Sequence, residues 1–137
     1  MAMKIIIDCN IWISFLIGKN MSKLEILLNS DRITVYRCAE LEQEFVRISS
    51  KDKIRKYISE THIKKVKNIM QLYCHNASAK GEVSSILRDK NDLYLLSLAD
   101  NVKADYIITG DKDLLVLGKH NNTEIISFND FLNTVLN

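Results

Sequence analysis

The apolar residues of this chain follow two patterns, short continuous runs and longer runs with helical spacing. Short runs rich in β-branched residues are typical of strands that are buried on both faces. The sequence therefore predicts strands over Lys4–Asp8, Ile33–Tyr36, Tyr106–Ile108 and Glu124–Ser127.

Apolar residues spaced three and four apart predict helices between and after these strands. The segment His75–Ser85 lacks either pattern and is predicted to be a loop that contains a short edge strand. The predicted helices are a stretch carrying Leu24, Leu27 and Leu28, then Glu40–Ser50, Lys53–Ile58, Glu60–Tyr73, a helix carrying Leu93, Leu96 and Ala99 that Asn91 or Asp92 caps, a short helix capped by Asp111, and Asn129–Leu136.

Strands that alternate with helices pair in parallel through right-handed crossovers. We therefore predict an α/β fold of three layers, with a central parallel sheet of four to five strands between helices. The chain has no internal repeat, no proline and only four glycines. With no linker to divide it, we expect residues 1–137 to form a single domain.

Composition narrows the class of protein. Hydrophobic residues make up 47% of the chain and charged residues 26%, which is typical of a globular protein and excludes a disordered one. The three cysteines are too few and too far apart for a disulfide framework or a CxxC metal site. Asp8 and Asn10 interrupt the apolar run at the start, and no run reaches the ~18 residues of a membrane span. We expect a cytoplasmic protein without a membrane partner.

Charge is distributed unevenly, although the net charge is only +2. The segment from position 47 to position 67 contains eight basic and two acidic residues, so its net charge is +6 and that of the rest of the chain is −4. Basic helices can follow a phosphate backbone, although a solvated helix face has the same composition. The residues that we expect to contact nucleic acid are Arg47, Lys51, Lys53, Lys64, Lys65 and Lys67.

Acidic residues follow two of the predicted strands at their carboxyl ends, which is where ligands bind in an open parallel sheet. Asp8 ends the first strand, and Asp111 follows the strand that closes with Thr109 and Gly110. If these strands are neighbours, their carboxylates meet at one edge. Asp92, Asp113 and Glu44 can reach the same cleft, and the Asn10 side-chain amide can hold Asp8 or a water molecule.

Clustered carboxylates repel one another and persist when cations neutralise them. Oxygen ligands select hard ions, so the cluster indicates Mg²⁺ or Mn²⁺ rather than zinc. Such ions lower the pKa of a bound water and stabilise charge on a scissile phosphate. Together with the basic helices, the acids predict a metal-dependent nuclease.

Several of these residues also have a purely structural interpretation. Asp111 and Asp92 can each cap a helix, and Glu44 can be a charge on a helix surface. Asp8 is harder to explain structurally, because a carboxylate after three isoleucines is costly to bury without a partner. The three histidines are interpreted as structural or surface residues, and Trp12 as a core residue.

Taken together, these residues resemble the PIN domain family, especially its bacterial and archaeal members that are toxins of toxin–antitoxin pairs. The resemblance extends from Lys4 to Leu132. Its sequence blocks are IIIDCNIWIS, EFVRI, RDKNDLYLLSLA, ADYIITGDKDLL and EIISFNDFL, of which the third and fourth are the most specific.

The resemblance implies a sheet in the order 3-2-1-4-5 and metal ligation by Asp8, Glu44, Asp92 and Asp111, with Asp113 as an occasional further ligand. It also implies supporting polar roles for Asn10 and Thr109. The implied activity is that of a Mg²⁺- or Mn²⁺-dependent endoribonuclease. The implied partners are RNA, a cognate antitoxin protein whose tail enters the cleft, and a second copy in a homodimer.

Two features leave alternatives open. Glu40 lies one helical turn before Glu44, so either glutamate can be the helical acid. Ser49 and Ser50 stand where relatives often have Arg-Pro, which leaves the start of the next helix open. A non-catalytic PIN-like protein that binds RNA or protein is the main rival interpretation. A receiver domain and a haloacid dehalogenase phosphatase are disfavoured, because IIIDCN supplies only one acid.

Overall fold

A computed structural model describes residues 2–81 and 93–136. In these ranges the chain forms one six-stranded sheet with helices between the strands. The strands are β1 (Met3–Ile7), β2 (Ile33–Arg37), β3 (Cys74–Asn76), β4 (Tyr106–Ile108), β5 (Lys119–His120) and β6 (Thr123–Ile126). The helices are α1 (Cys9–Ile17), α2 (Met21–Leu28), α3 (Ala39–Ser49), α4 (Asp52–Arg55), α5 (Glu60–Tyr73), α6 (Leu93–Val102), α7 (Lys112–Leu117) and α8 (Phe128–Thr134).

The strand order is β3-β2-β1-β4-β6-β5, and the first five strands in this order pair in parallel. With β6 in the fifth place, this arrangement confirms the predicted fold class and the order 3-2-1-4-5. The sixth strand, β5, pairs antiparallel with β6 through a turn in which Asn121 has a φ of 52°. It was not predicted because two polar residues, Lys119 and His120, carry no strand pattern.

Most predicted elements in the described ranges differ from the structure only by a few residues at their ends. The edge strand expected within His75–Ser85 is β3, whereas the helix expected over Lys53–Ile58 is shorter and ends at Arg55. The cap expected at Asn91 or Asp92 lies outside the described residues.

Helix α1 has no counterpart among the predicted helices. Its nine residues are apolar on almost every side, so they lack the amphipathic spacing that identifies a surface helix. The helix is largely buried instead, and Trp12 donates a hydrogen bond from Nε1 to the carbonyl of Ile7 at 3.3 Å. The interpretation of Trp12 as a core residue is confirmed. Between α1 and α2 the backbone of Lys19 adopts a left-handed conformation, with a φ of 57°.

The sheet positions its carboxyl edge rigidly, because the last three residues of its central strand β1 are fully buried. Ile5, Ile6 and Ile7 of β1 have no exposed surface, and the same holds for Ile107 and Ile108 of β4. Register pairs Ile7 with Ile108, so these two strands end side by side. None of the helices in the described ranges has the length and apolarity that a membrane crossing requires.

Arg37, the last residue of β2, ties three elements together. Its Nε donates to the carbonyls of Met70 and Cys74 at 3.1 and 3.2 Å, where α5 ends. Its Nη1 lies 3.1 Å from Oε1 of Glu42 on α3, as an ion pair without hydrogen-bond geometry. Arg37 therefore compensates a largely buried carboxylate and fixes α5 beside α3.

Candidate active site

Asp8 and Thr109 occupy the positions directly after β1 and β4, at the carboxyl edge of the sheet. The backbone N–H of Asp8 donates to the carbonyl of Ile108 at 2.9 Å, which continues the pairing of the two strands by one residue. Asp8 begins helix α1, and Asp111 begins α7. The acids that follow these two strands were predicted to meet at one edge. The register of β1 and β4 places the ends of the two strands side by side and so allows this.

The hydroxyl of Thr109 links the two aspartates. It donates to Oδ2 of Asp8 at 2.7 Å and accepts a hydrogen bond from the backbone N–H of Asp111 at 3.0 Å. Thr109 is completely buried, so this hydroxyl has no access to water. It holds the Asp8 carboxylate in one orientation and fixes it relative to the start of α7.

Asp8 is only 1% exposed, and burial raises the pKa of its carboxyl above the usual range. The Thr109 hydrogen bond and the backbone N–H of Asn10 lower this pKa, while the negative charges of Glu44 and Asp111 raise it further. The ionised form of Asp8 is therefore disfavoured by its surroundings. A positive charge placed beside it would reverse that effect.

Glu44 projects from α3 toward Asp8 and is held by a residue that the sequence analysis missed. The hydroxyl of Tyr94 on α6 donates to Oε2 of Glu44 at 2.5 Å. Burial, with Glu44 as the next largest cause, raises the pKa of Tyr94 far above its ordinary value, so the phenol stays protonated as a donor. A tyrosine among the leucines of a core helix needs a partner for its hydroxyl, and that was the available signal.

The structure distinguishes Glu44 from Glu40. Both glutamates line a hollow in which Arg47 and Tyr94 also lie, but of the two only the charge of Glu44 is a cause of the raised pKa of Asp8. Nη2 of Arg47 lies 3.9 Å from Oε1 of Glu44. Of the two glutamates, Glu44 is therefore the one whose charge acts on Asp8.

Three other predicted site residues have different positions. Asn10 has an exposed side chain, and its contact with Asp8 runs through the backbone N–H. Asp113 lies in the first turn of α7, where its backbone N–H donates to Oδ1 of Asp111 at 2.8 Å. Asp111 thus is the helix cap that its structural interpretation predicted, and its charge still reaches Asp8. Asp92 lies outside the described residues.

The donor set fits a hard divalent cation in its chemistry. Asp8, Glu44 and Asp111 offer carboxylate oxygens, and their mutual repulsion raises the pKa of Asp8. Burial, together with the charges of Asp8 and Glu44, raises the pKa of the neighbouring Cys9 thiol, which favours its protonated form. Within residues 2–81 and 93–136 no three His, Cys, Asp or Glu side chains form a metal-holding group.

The predicted nucleic-acid contacts lie on helices α3 to α5 and the turn between them. Arg47 lies in the last turn of α3, whereas Lys51 caps α4 and Lys53 lies in its first turn. Lys64 and Lys65 are exposed on α5, and Lys67 on the same helix is half-buried. The six cations therefore face more than one surface.

Replacing Thr109 with valine removes the bridge between the aspartates while keeping the shape of the side chain. We expect Thr109→Val to lower the free energy of unfolding by about 2 kcal/mol at neutral pH, because a buried carboxylate loses its donor. The loss should shrink in Asp8→Asn protein, where no charge is left without a donor. Urea denaturation of the four proteins in this cycle measures the coupling, and an additive double variant would contradict the bridge.

Tyr94→Phe removes the donor to Glu44 and leaves the ring in place. Because a hydrogen bond to a charged group contributes about 1.5–3 kcal/mol, we expect a loss of stability of this order. Tyr57, which is 63% exposed, offers the matched control, and Tyr57→Phe should leave stability unchanged. Equal melting temperatures for the two variants would show that the bond to Glu44 contributes nothing.

We compared the chain with known protein families, sequences and structures. A sequence profile described as the PIN domain matches residues 4–113. No curated protein sequence matches the chain significantly. At 15–16% identity, the solved structures below show likeness of fold alone.

Two solved structures have a similar fold. One is VapBC2 from Rickettsia felis bound to a DNA fragment from their promoter. It has a TM-score of 0.58 and 16% identity over 92% of this chain and 99% of that one. The other is the PIN domain of T. brucei RRP44, with a TM-score of 0.54 and 15% identity over 99% of this chain and 82% of that one.

Proposed function

Because this chain belongs to the PIN domain family, we propose that it is a metal-dependent endoribonuclease that hydrolyses phosphodiester bonds of RNA. The observation that carries the proposal is the Asp8 carboxylate, which is buried at the carboxyl edge of the sheet beside Glu44 and Asp111. Burying an ionisable acid among other acids costs stability. A function that needs a charge at this position accounts for that cost.

Asp8 and Asp111, with Asp92, which directly precedes α6 in the sequence, are the residues that would hold Mg²⁺ or Mn²⁺, and Asp113 and Glu44 would complete the set. When bound, such an ion supplies activation of a water molecule and stabilisation of charge on the scissile phosphate. Thr109 holds Oδ2 of Asp8 in place for ligation, and Asn10 supports the same carboxylate through its backbone.

Glu44 has a role that its own contacts define. Tyr94 holds one oxygen and Arg47 approaches the other, so the carboxylate is fixed while it stays 13% exposed toward solvent. From this position it can accept a hydrogen bond from a water molecule at the site and orient it toward a phosphate. The basic residues of α3 to α5 supply the attraction for the RNA backbone.

We further propose that the protein is a toxin restrained by a cognate antitoxin protein, and that it acts in the cytoplasm, where it can form a homodimer. The likeness to VapBC2 supports the antitoxin partner. The alternative is a PIN-like module that binds RNA or protein without cleaving.

Cleavage assays separate these two functions. Purified protein is incubated with end-labelled RNA and with DNA of the same sequence, in Mn²⁺, in Mg²⁺ or in chelator. We expect internal cuts in the RNA with either metal and none in chelator. Bound but intact RNA in both metals would favour the binding module, and cleavage that persists in chelator would contradict the metal-dependent mechanism.

A further inference from the structure

Beside Glu44 the surface carries two neighbouring hollows. The first, of about 270 Å³, is lined by Glu44 together with Gln43 and Arg47 of α3. The second, of about 430 Å³, is lined by Gln43 and Arg47 and by Lys67 and Gln71 of α5. Because Gln43 and Arg47 line both, the two hollows adjoin along α3, and Glu44 lines the first of them. We call this pair of hollows the α3–α5 groove.

The chemistry of the α3–α5 groove suits a polyanionic strand. Arg47 and Lys67 place one cation on each wall, and a guanidinium can grip a phosphate through two hydrogen bonds. The amides of Gln43 and Gln71 add donors and acceptors that can contact sugars or base edges. The groove therefore offers positive charge for a phosphate backbone and polar groups for the sugars and bases.

Three carboxylates line the same groove: Glu40 lines the first hollow only, and the other two are engaged within the protein. Glu42 forms the ion pair with Arg37, and Glu44 accepts the hydrogen bond from Tyr94. Their charges are therefore partly compensated from within the protein. Repulsion of an approaching phosphate is correspondingly reduced.

The other predicted contacts do not share this groove. Lys65 lines a separate hollow of about 540 Å³ with Lys19 and Tyr57. Lys64 is exposed on α5, and the residues that line the groove do not include it. The basic segment is thus divided. Arg47 and Lys67 line the groove beside the acidic edge, whereas Lys64 and Lys65 lie on other surfaces.

We infer that single-stranded RNA leaves the acidic edge along the α3–α5 groove, with Arg47 and Lys67 as its phosphate contacts. Lys64 and Lys65 then lie off the path of the strand. This inference rests on the proposed ribonuclease function and adds the direction in which the substrate runs. A groove of a few hundred cubic ångströms admits one strand rather than a duplex, and a single strand leaves its bases free for the amides.

Binding measurements in chelator test the path without cleavage. The probe is a fluorescein-labelled single-stranded RNA of about 12 nucleotides, within the usual site sizes for such proteins. Its affinity is measured by anisotropy across a range of salt concentrations for Arg47→Gln/Lys67→Gln. The matched control is Lys23→Gln/Lys119→Gln, which removes the same charge from exposed lysines on α2 and β5. Circular dichroism verifies that each variant is folded.

We expect Arg47→Gln/Lys67→Gln to weaken RNA binding about tenfold at ~0.15 M salt, because each lost phosphate contact contributes about 0.7 to the salt slope. The slope should become shallower by about 1.4. The control should change neither quantity. An equal loss in the control would overturn the inference, since it would show attraction by net charge alone.

A third variant, Lys64→Gln/Lys65→Gln, tests the competing path over the outer face of α5. If it weakens binding more than the groove variant does, the inferred path is wrong. A labelled acidic peptide of similar length tests the competing occupant. If the groove variant loses the peptide but keeps the RNA, the groove is a protein-binding surface and the inference fails. Absence of RNA binding by the unaltered protein would overturn the proposed function as well.

Discussion

Replacing Asp8 with asparagine should abolish RNA cleavage and, in chelator, raise the melting temperature of the protein. A metal's stabilisation of transition-state charge amounts to several kcal/mol, and ~4 kcal/mol corresponds to about 10³ in rate. Asp8→Asn keeps the size of the side chain and an oxygen that can accept from Thr109. The loss of rate would therefore report the missing charge rather than a disturbed fold.

The expected gain in stability follows from the direction of the pKa shift of Asp8. Its pKa in the folded protein is raised above the unfolded value of 3.8, mainly by burial. The contribution of the protonated acid to stability is therefore present below pH 3.8 and is lost as pH rises through the folded pKa. Asparagine does not ionise. The stability difference between Asp8→Asn and the parent should therefore grow as pH rises from the unfolded to the folded pKa of Asp8, and stay constant at higher pH.

With bound metal, the parent protein should become more stable than Asp8→Asn. Mn²⁺ at about a hundred times its Kd stabilises a one-site protein by about 2.7 kcal/mol, and this gain requires the Asp8 charge. We expect thermal melts to show a shift with Mn²⁺ for the parent protein and little or none for Asp8→Asn. Asp31, an exposed aspartate before β2, provides the control: Asp31→Asn should cleave RNA and respond to Mn²⁺ like the parent.

Cleavage by Asp8→Asn at the parental rate would contradict the proposed function, whatever its stability. A lower melting temperature in chelator would instead contradict the account of the buried charge. The two readouts are independent because one needs RNA and metal and the other needs neither.

The largest loss of stability is expected for Arg37→Met. This change keeps the aliphatic stem but removes two hydrogen bonds to the end of α5 and the ion pair with Glu42. Breaking a fully buried pair costs about 3–5 kcal/mol. Because the side chains of Arg37 and Glu42 remain 16% and 20% exposed, we expect about 3 kcal/mol. For a chain of this length that is a fall of about 10 °C in melting temperature.

Part of that loss should be recovered by a second change. In Arg37→Met/Glu42→Gln no uncompensated carboxylate is left in the interior, so the double variant should be more stable than Arg37→Met alone. Arg55 is exposed on α4, and Arg55→Met should leave the melting temperature unchanged. Equal stabilities of Arg37→Met and Arg55→Met would show that Arg37 does not hold α5 in place.

The periodicity of the sequence was sufficient to predict the layered α/β fold. Short runs of β-branched residues such as Ile5–Ile7 favour a strand that is covered on both sides, and alternation with helices favours parallel pairing. The order 3-2-1-4-5 came from the family resemblance and is confirmed. Helix α1 was missed because a segment that is apolar on all sides carries no period, so burial alone could not distinguish a helix from a strand.

The sequence by itself also identified Asp8, since a carboxyl group after three isoleucines has few structural explanations. Only the tertiary structure brought in Tyr94, connected Thr109 to both aspartates, and divided the basic residues between two surfaces. The physical reason is that hydrogen bonds and grooves depend on distances between residues far apart in the chain. Tyr94 and Glu44 are separated by 50 positions, and Thr109 and Asp8 by 101. Periodicity reports only which face of its own element a side chain occupies.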